Sequence, residues 1–120
     1  MKIHEVSQKY NISMATLRYY EKIGLLDDVN RIHGIRDYQE KDIQQIGLVL
    51  NLKEAGLDNK TLKEYLTLIK QGKSTSKARI WLLKKQKTKL LDTIHKQQKY
   101  IDCLDYLVYQ LNKGQEEIWN

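Results

Sequence analysis

The chain has 120 residues, enough for one domain of ordinary size, and with no phenylalanine its aromatic core material is limited to eight tyrosines and two tryptophans. Its apolar runs are too short for a membrane span, and a single cysteine, Cys103, excludes a disulfide framework and fits a reducing cytoplasm. The net charge is +6, which points toward nucleic acid, yet residues 1–56 are neutral and all of the excess falls in residues 57–120. The opening Met1-Lys2-Ile3-His4-Glu5 lacks the apolar core of a signal peptide, so we expect no secretion. Absence of proline, together with many Leu, Ile, Lys and Gln, predicts a mostly helical chain.

Ile3, Val6 and Tyr10 stand at helical spacing and predict a short first helix. Asn11 tolerates the left-handed conformation of a tight turn, and Ser13 stands where an N-cap belongs. A second helix is predicted from Met14 to about Ile23, with Leu17, Tyr20 and Ile23 on its inner face and Gly24 just past its end. Two short helices joined by such a turn make a helix-turn-helix candidate. The helical period then breaks, and residues 25–38 alternate loosely around His33-Gly34, which can turn a small hairpin, or wing. A third helix is predicted over Glu40–Ala55, with Ile43, Ile46, Val49, Leu50 and Leu52 inward and Gly56 at its end. Asp58 caps a fourth that carries Leu62, Tyr65, Leu66 and Ile69 and stops at Gly72.

Ser74 or Thr75 is then expected to cap one long helix that runs to about Lys113. Positions 80, 83, 87, 90, 94, 97, 101, 104, 108 and 111 step by three and four, and eight of the ten are apolar: Ile80, Leu83, Leu90, Ile94, Ile101, Leu104, Val108 and Leu111. A heptad seam of this length indicates a coiled coil. No small preceding domain can cover roughly 50 Å of helix, so a second copy is the economical partner. Lys87 and Gln97 interrupt the seam, as polar residues that fix register do. Between Lys70 and Lys99 ten basic residues stand against one acid, Asp92. We read this run as a solvated helix face, with an anionic effector site as the sharper alternative. Trp81 flanks the seam and reads as core, or as the lining of a pocket beside the coil.

The run Thr16-Leu17-Arg18-Tyr19-Tyr20-Glu21-Lys22-Ile23-Gly24-Leu25-Leu26 strongly resembles the MerR family of regulators. The likeness continues through Arg31, Gly34-Ile35-Arg36-Asp37-Tyr38, Asp42 and Ala55-Gly56-Leu57, and covers about the first 70 residues closely. Gln71-Gly72-Lys73-Ser74-Thr75 and Ala78-Arg79 look like the short branch related to aldehyde and nitrosative-stress regulators. That branch commonly carries a reactive cysteine in the third helix. Here the stretch reads Leu50-Asn51-Leu52-Lys53-Glu54, and thiol chemistry cannot occur at Asn51.

The resemblance implies an all-α fold with a winged helix-turn-helix over residues 1–72, and a dimerisation helix with its tail over 73–120, paired as an antiparallel coiled coil. It also implies a homodimer on a palindromic promoter site, with double-stranded DNA bent and untwisted so that RNA polymerase engages both promoter elements. Arg18 is suited to bond guanine in two places, and the Tyr19 hydroxyl to reach phosphate. Ser13, Met14, Ala15 and Thr16 form the helical turn expected at the major groove. Arg31, His33, Arg36 and Tyr38 are read as wing residues, with Arg36 and Tyr38 as phosphate clamps, and Lys53 as a weaker candidate in a second wing. His4, His33, His95 and Cys103 show no ligand spacing, so no metal or other cofactor is expected. Cys103 reads as a surface thiol. No catalytic grouping is present, which leaves a coiled-coil adaptor or an architectural DNA-binding protein as alternatives to a regulator. Because the sequence stops with the coil, a separate effector domain is not expected.

Overall fold

A computed structural model of the chain describes residues 1–114. The elements in order are α1 (Ile3–Tyr10), α2 (Met14–Lys22), β1 (Arg31–Ile32), β2 (Ile35–Arg36), α3 (Glu40–Glu54), α4 (Asn59–Gln71), a 3₁₀ turn (Lys73–Thr75) and α5 (Ser76–Asn112). The expected all-helical architecture with a small wing and a long last helix is present. Any tail beyond residue 114 lies outside the described residues.

Local chemistry sets each boundary. Asn11 ends α1 with φ 52°, in the left-handed region that an asparagine tolerates. The Ser13 Oγ accepts the Thr16 N–H at 3.0 Å and so caps α2. Past the end of α2 the Tyr20 carbonyl accepts from both Leu25 N (2.9 Å) and Leu26 N (3.2 Å), turning two apolar side chains inward. In the hairpin Arg31 pairs with Arg36 and Ile32 with Ile35. His33 (φ 51°) and Gly34 (φ 78°) both take positive φ, as a two-residue turn of primed type requires.

The first residues close this hairpin onto the domain. Tyr38 N donates to Met1 O at 2.7 Å and Met1 N to Tyr38 O at 2.9 Å. Asp42, itself buried, accepts the Gln39 N–H at 2.8 Å and opens α3. The Asp58 Oδ1 accepts from Thr61 N at 2.7 Å and opens α4. Val6, Leu17, Leu25, Ile46, Val49 and Leu62 form the fully buried centre, with Tyr20, Ile23, Ile43, Leu50, Leu52 and Ile69 packed around it.

Two expectations are corrected. Ser74 does not cap the long helix, since it lies inside a 3₁₀ turn, and Thr75, directly before α5 at Ser76, turns its hydroxyl elsewhere. The Thr75 Oγ1 turns back toward the carbonyls that end α4, Leu68 O at 2.7 Å and Gly72 O at 2.8 Å, and accepts from Arg79 Nε at 3.1 Å. It therefore staples two helices instead of capping one. Trp81 is not core but 61% exposed. The N-terminal compact unit runs from Met1 to Leu82, and Leu82 is buried.

The second unit is the rest of α5. Its side chains are exposed almost throughout, and the heptad residues from Leu83 (37% exposed) to Leu104 (62% exposed) leave apolar surface uncovered. Among the described residues no helix is long and apolar enough to cross a membrane.

The two caps differ in burial, and this sets an expected difference in energy. Asp58→Ala removes an exposed cap and should lower stability by about 1 kcal/mol. Asp42→Ala leaves a half-buried N–H unpaired and should cost about 2 kcal/mol. Urea unfolding at one fixed protein concentration measures both. Equal losses would show that burial does not amplify the second bond.

Candidate nucleic-acid interface

On α2 the buried Leu17 turns inward, and this directs Arg18 and Tyr19 to solvent. Tyr19 is 50% exposed, and its ring lies 6.3 Å from that of half-buried Tyr20. Arg18 makes no hydrogen bond or ion pair among the described residues, so its guanidinium is available in full. Ser13, Met14 and Ala15 are exposed at the start of the helix, and Thr16 is half-buried. The Ser13 hydroxyl is already engaged twice, by the Thr16 amide and by the Thr16 hydroxyl at 2.7 Å. Its capacity for a phosphate is correspondingly reduced.

Wing and helix are joined through one carboxylate. Glu21, on α2, accepts from Arg36 Nε at 3.0 Å through Oε1, and its Oε2 lies 3.8 Å from an Arg31 Nη. The structure thus brings Arg31, Arg36 and the recognition helix together. His33 stands exposed at the turn. The sequence reading gave Glu21 no role. A signal was present, since a hairpin centred on His33-Gly34 sets two arginines directly opposite each other and calls for a counter-charge.

Two predicted site residues are bonded or packed within the domain. Lys53 is half-buried, and its Nζ donates to Asn59 Oδ1 at 2.7 Å, tying the end of α3 to the start of α4. It makes no hydrogen bond or ion pair with α2 or the hairpin. Tyr38 lies past the end of β2 and is only 3% exposed, so it is a core residue and not a wing residue. Its hydroxyl is buried without a hydrogen-bond partner among the described residues. Among the described residues no three His, Cys, Asp or Glu side chains cluster as a metal site would need.

Burial pushes the Tyr38 phenol above its ordinary 10.0, with nearby Arg36 opposing and Glu21 reinforcing the shift. As pH rises past about 10, the unfolded chain therefore loses this proton before the folded one does, and stability falls. Tyr38→Phe should abolish that share of the alkaline loss. At neutral pH it should raise stability by about 1 kcal/mol, since it deletes an unsatisfied buried hydroxyl. Thermal melting from pH 7 to 11 checks both. A neutral-pH loss would mean that the hydroxyl is satisfied in solution.

The chain is 40% identical over 93 residues to the HTH-type transcriptional regulator AdhR of Bacillus subtilis, a match that covers 77% of this chain and 66% of that protein. The matched stretch is thus just under two thirds of AdhR. A crystal structure of a MerR family transcriptional regulator from Listeria monocytogenes superposes with a TM-score of 0.80 at 35% identity, covering 93% of this chain and 86% of that one. HiNmlR, a MerR family regulator lacking the sensor domain and crystallised on promoter DNA, superposes with a TM-score of 0.74 at 31% identity, covering 94% and 90%. The family described as MerR HTH family regulatory protein matches residues 1–69, the stretch that holds α1, α2, the hairpin, α3 and most of α4. The chain belongs to the MerR family of helix-turn-helix proteins, whose members are regulators and not enzymes.

Proposed function

We propose that the chain is a cytoplasmic, homodimeric transcriptional regulator that binds double-stranded promoter DNA by sequence. The observation that carries this reading is the unengaged Arg18 on α2, beside a wing whose two arginines are anchored to that same helix by Glu21. Arg18 and Tyr19, with the exposed turn Ser13–Ala15, enter the major groove. Arg31, His33 and Arg36 follow the phosphate backbone. HiNmlR, similar in fold and sequence, was crystallised on promoter DNA.

The dimer follows from the uncovered seam. Burying the eight apolar heptad residues requires a second helix, and a second copy of α5 supplies one of matching pattern in an antiparallel coil. Two protomers then present two recognition helices to a palindromic site. The resemblance extends this to a distorted promoter spacer that RNA polymerase reads as a whole, with deformation energy as the switch.

Light scattering should give about twice the 14.3 kDa chain mass. Leu90→Lys combined with Ile94→Lys places charge in the seam and should give monomers that lose DNA affinity. A stable monomer of the parent at micromolar concentration would overturn the coil. The roles of helix and wing separate in a competition assay over single-base operator variants at several salt concentrations. Arg18→Ala should cost about 1–3 kcal/mol per half-site and relax preference at one symmetric base pair. Arg36→Ala should weaken all sequences alike and make the salt slope shallower by about one unit per lost phosphate contact. If Arg36→Ala alters the base preference and Arg18→Ala does not, the two roles are reversed. A protein with no affinity for any duplex would be the adaptor instead.

A further inference from the structure

The wing is a two-residue ladder whose Arg31 and Arg36 stand directly opposite each other. Two like charges in a cross-strand pair repel, and a hairpin this short has little else to hold it flat. Glu21 meets both. Its side chain is 11% exposed and that of Arg36 is 19% exposed, so the pair at 3.0 Å is shielded from water and is charge-assisted. The Arg31 guanidinium, at 3.8 Å and 50% exposed, is the outer member. Glu21 accepts a hydrogen bond from Arg36 through Nε, and neither Nη group of Arg36 makes a hydrogen bond among the described residues. A guanidinium fixed at Nε presents its remaining fork in one direction. Glu21 also stands three residues after Arg18 on α2, which makes the two neighbours on the helix surface.

We infer that Glu21 is a specificity-determining positioning residue, which sets the wing's phosphate-binding fork in fixed register with the base-reading Arg18. The inference rests on the DNA-binding reading above and adds a role for a residue of the wrong charge for DNA. A carboxylate beside the backbone repels phosphate unless the two arginines stand between them. Glu21 therefore disfavours loose, unregistered complexes while it preorganises the registered one, and its effect appears in discrimination more than in overall affinity.

The probe is a duplex selected by the parent protein from a random-sequence library, set against a scrambled duplex of the same length and composition. Affinity for both is measured by fluorescence anisotropy for the parent, Glu21→Gln, Arg36→Ala and the double variant. Glu21→Gln keeps size and one acceptor but removes the charge. It should lower affinity for the selected duplex roughly tenfold. Affinity for the scrambled duplex should hold or rise, because the protein gains one net positive charge. Adding Glu21→Gln to Arg36→Ala should cost nothing further on the selected duplex. If Glu21→Gln lowers both affinities in parallel, with a lower melting temperature, the residue is only structural and the inference fails. If both affinities stay unchanged while Arg36→Ala weakens binding, it fails as well. Should the parent select no sequence, or bind selected and scrambled duplexes equally, the DNA-binding reading itself falls.

Discussion

A two-stranded ribbon of two residues per strand cannot stand by itself in water, so everything the wing does depends on what holds it to the rest of the domain. Two features brace the hairpin itself and three fasten it to the domain. The primed turn fixes the strand twist, and the Asp37 amide donates back to the Asn30 carbonyl at 2.7 Å. The Met1–Tyr38 backbone pair fastens the second strand to the start of the chain, and the buried Tyr38 ring anchors its continuation. Against this backbone frame, the Glu21 carboxylate settles the side chains. Helix α2 and the wing are thus tied into one head, although they are joined in sequence only by a loop.

That head was legible in the sequence wherever the cause is local. Asn11, Ser13, Gly24, His33-Gly34 and Asp58 announce turns and caps because their own side chains, or the lack of one, decide the backbone there. The buried face of α2 follows from the spacing of Leu17 and Tyr20. Features decided by distant partners could not be read in this way. Thr75 has the chemistry of an N-cap, but the carbonyls ending α4 are nearer to its hydroxyl. Tyr38 carries a polar tip that suggests phosphate, yet packing takes the whole ring. Trp81 is apolar enough for a core that does not extend to it. Glu21 had no role legible in the sequence because its partners, two arginines set opposite each other, depend on the hairpin register.

The two units differ in how they are stabilised. Residues up to Leu82 share a contiguous core in which six side chains are essentially without solvent contact. Beyond Leu83 the chain is a single helix whose apolar surface remains in contact with solvent. Helix formation over that length is cooperative, but in water such a helix draws most of its stability from packing of its apolar face. In the proposed dimer, folding of the second unit is linked to assembly, so that its order depends on protein concentration as well as temperature. There the polar Lys87 and Gln97 would lower the stability of the seam and restrict the ways in which two copies align.

The turn at His33 and Gly34 also constrains how the wing can evolve. Both residues hold positive φ, but nothing lies within 4 Å of a side chain added at Gly34, so the restriction there is one of backbone conformation and not of space. At His33 the same conformation is tolerated by a short list of residues, chiefly glycine, asparagine, aspartate and histidine, and is resisted by β-branched ones. The wing tip can therefore exchange an imidazole for an amide, a carboxylate or a bare backbone in single steps while the hairpin keeps its shape. Each exchange would change what the tip offers to a passing phosphate, donor, acceptor or neither, at almost no expense in fold. Under the proposed function, descendants of this sequence could retune their grip on DNA at that one position while Glu21 and its two arginines stay as they are.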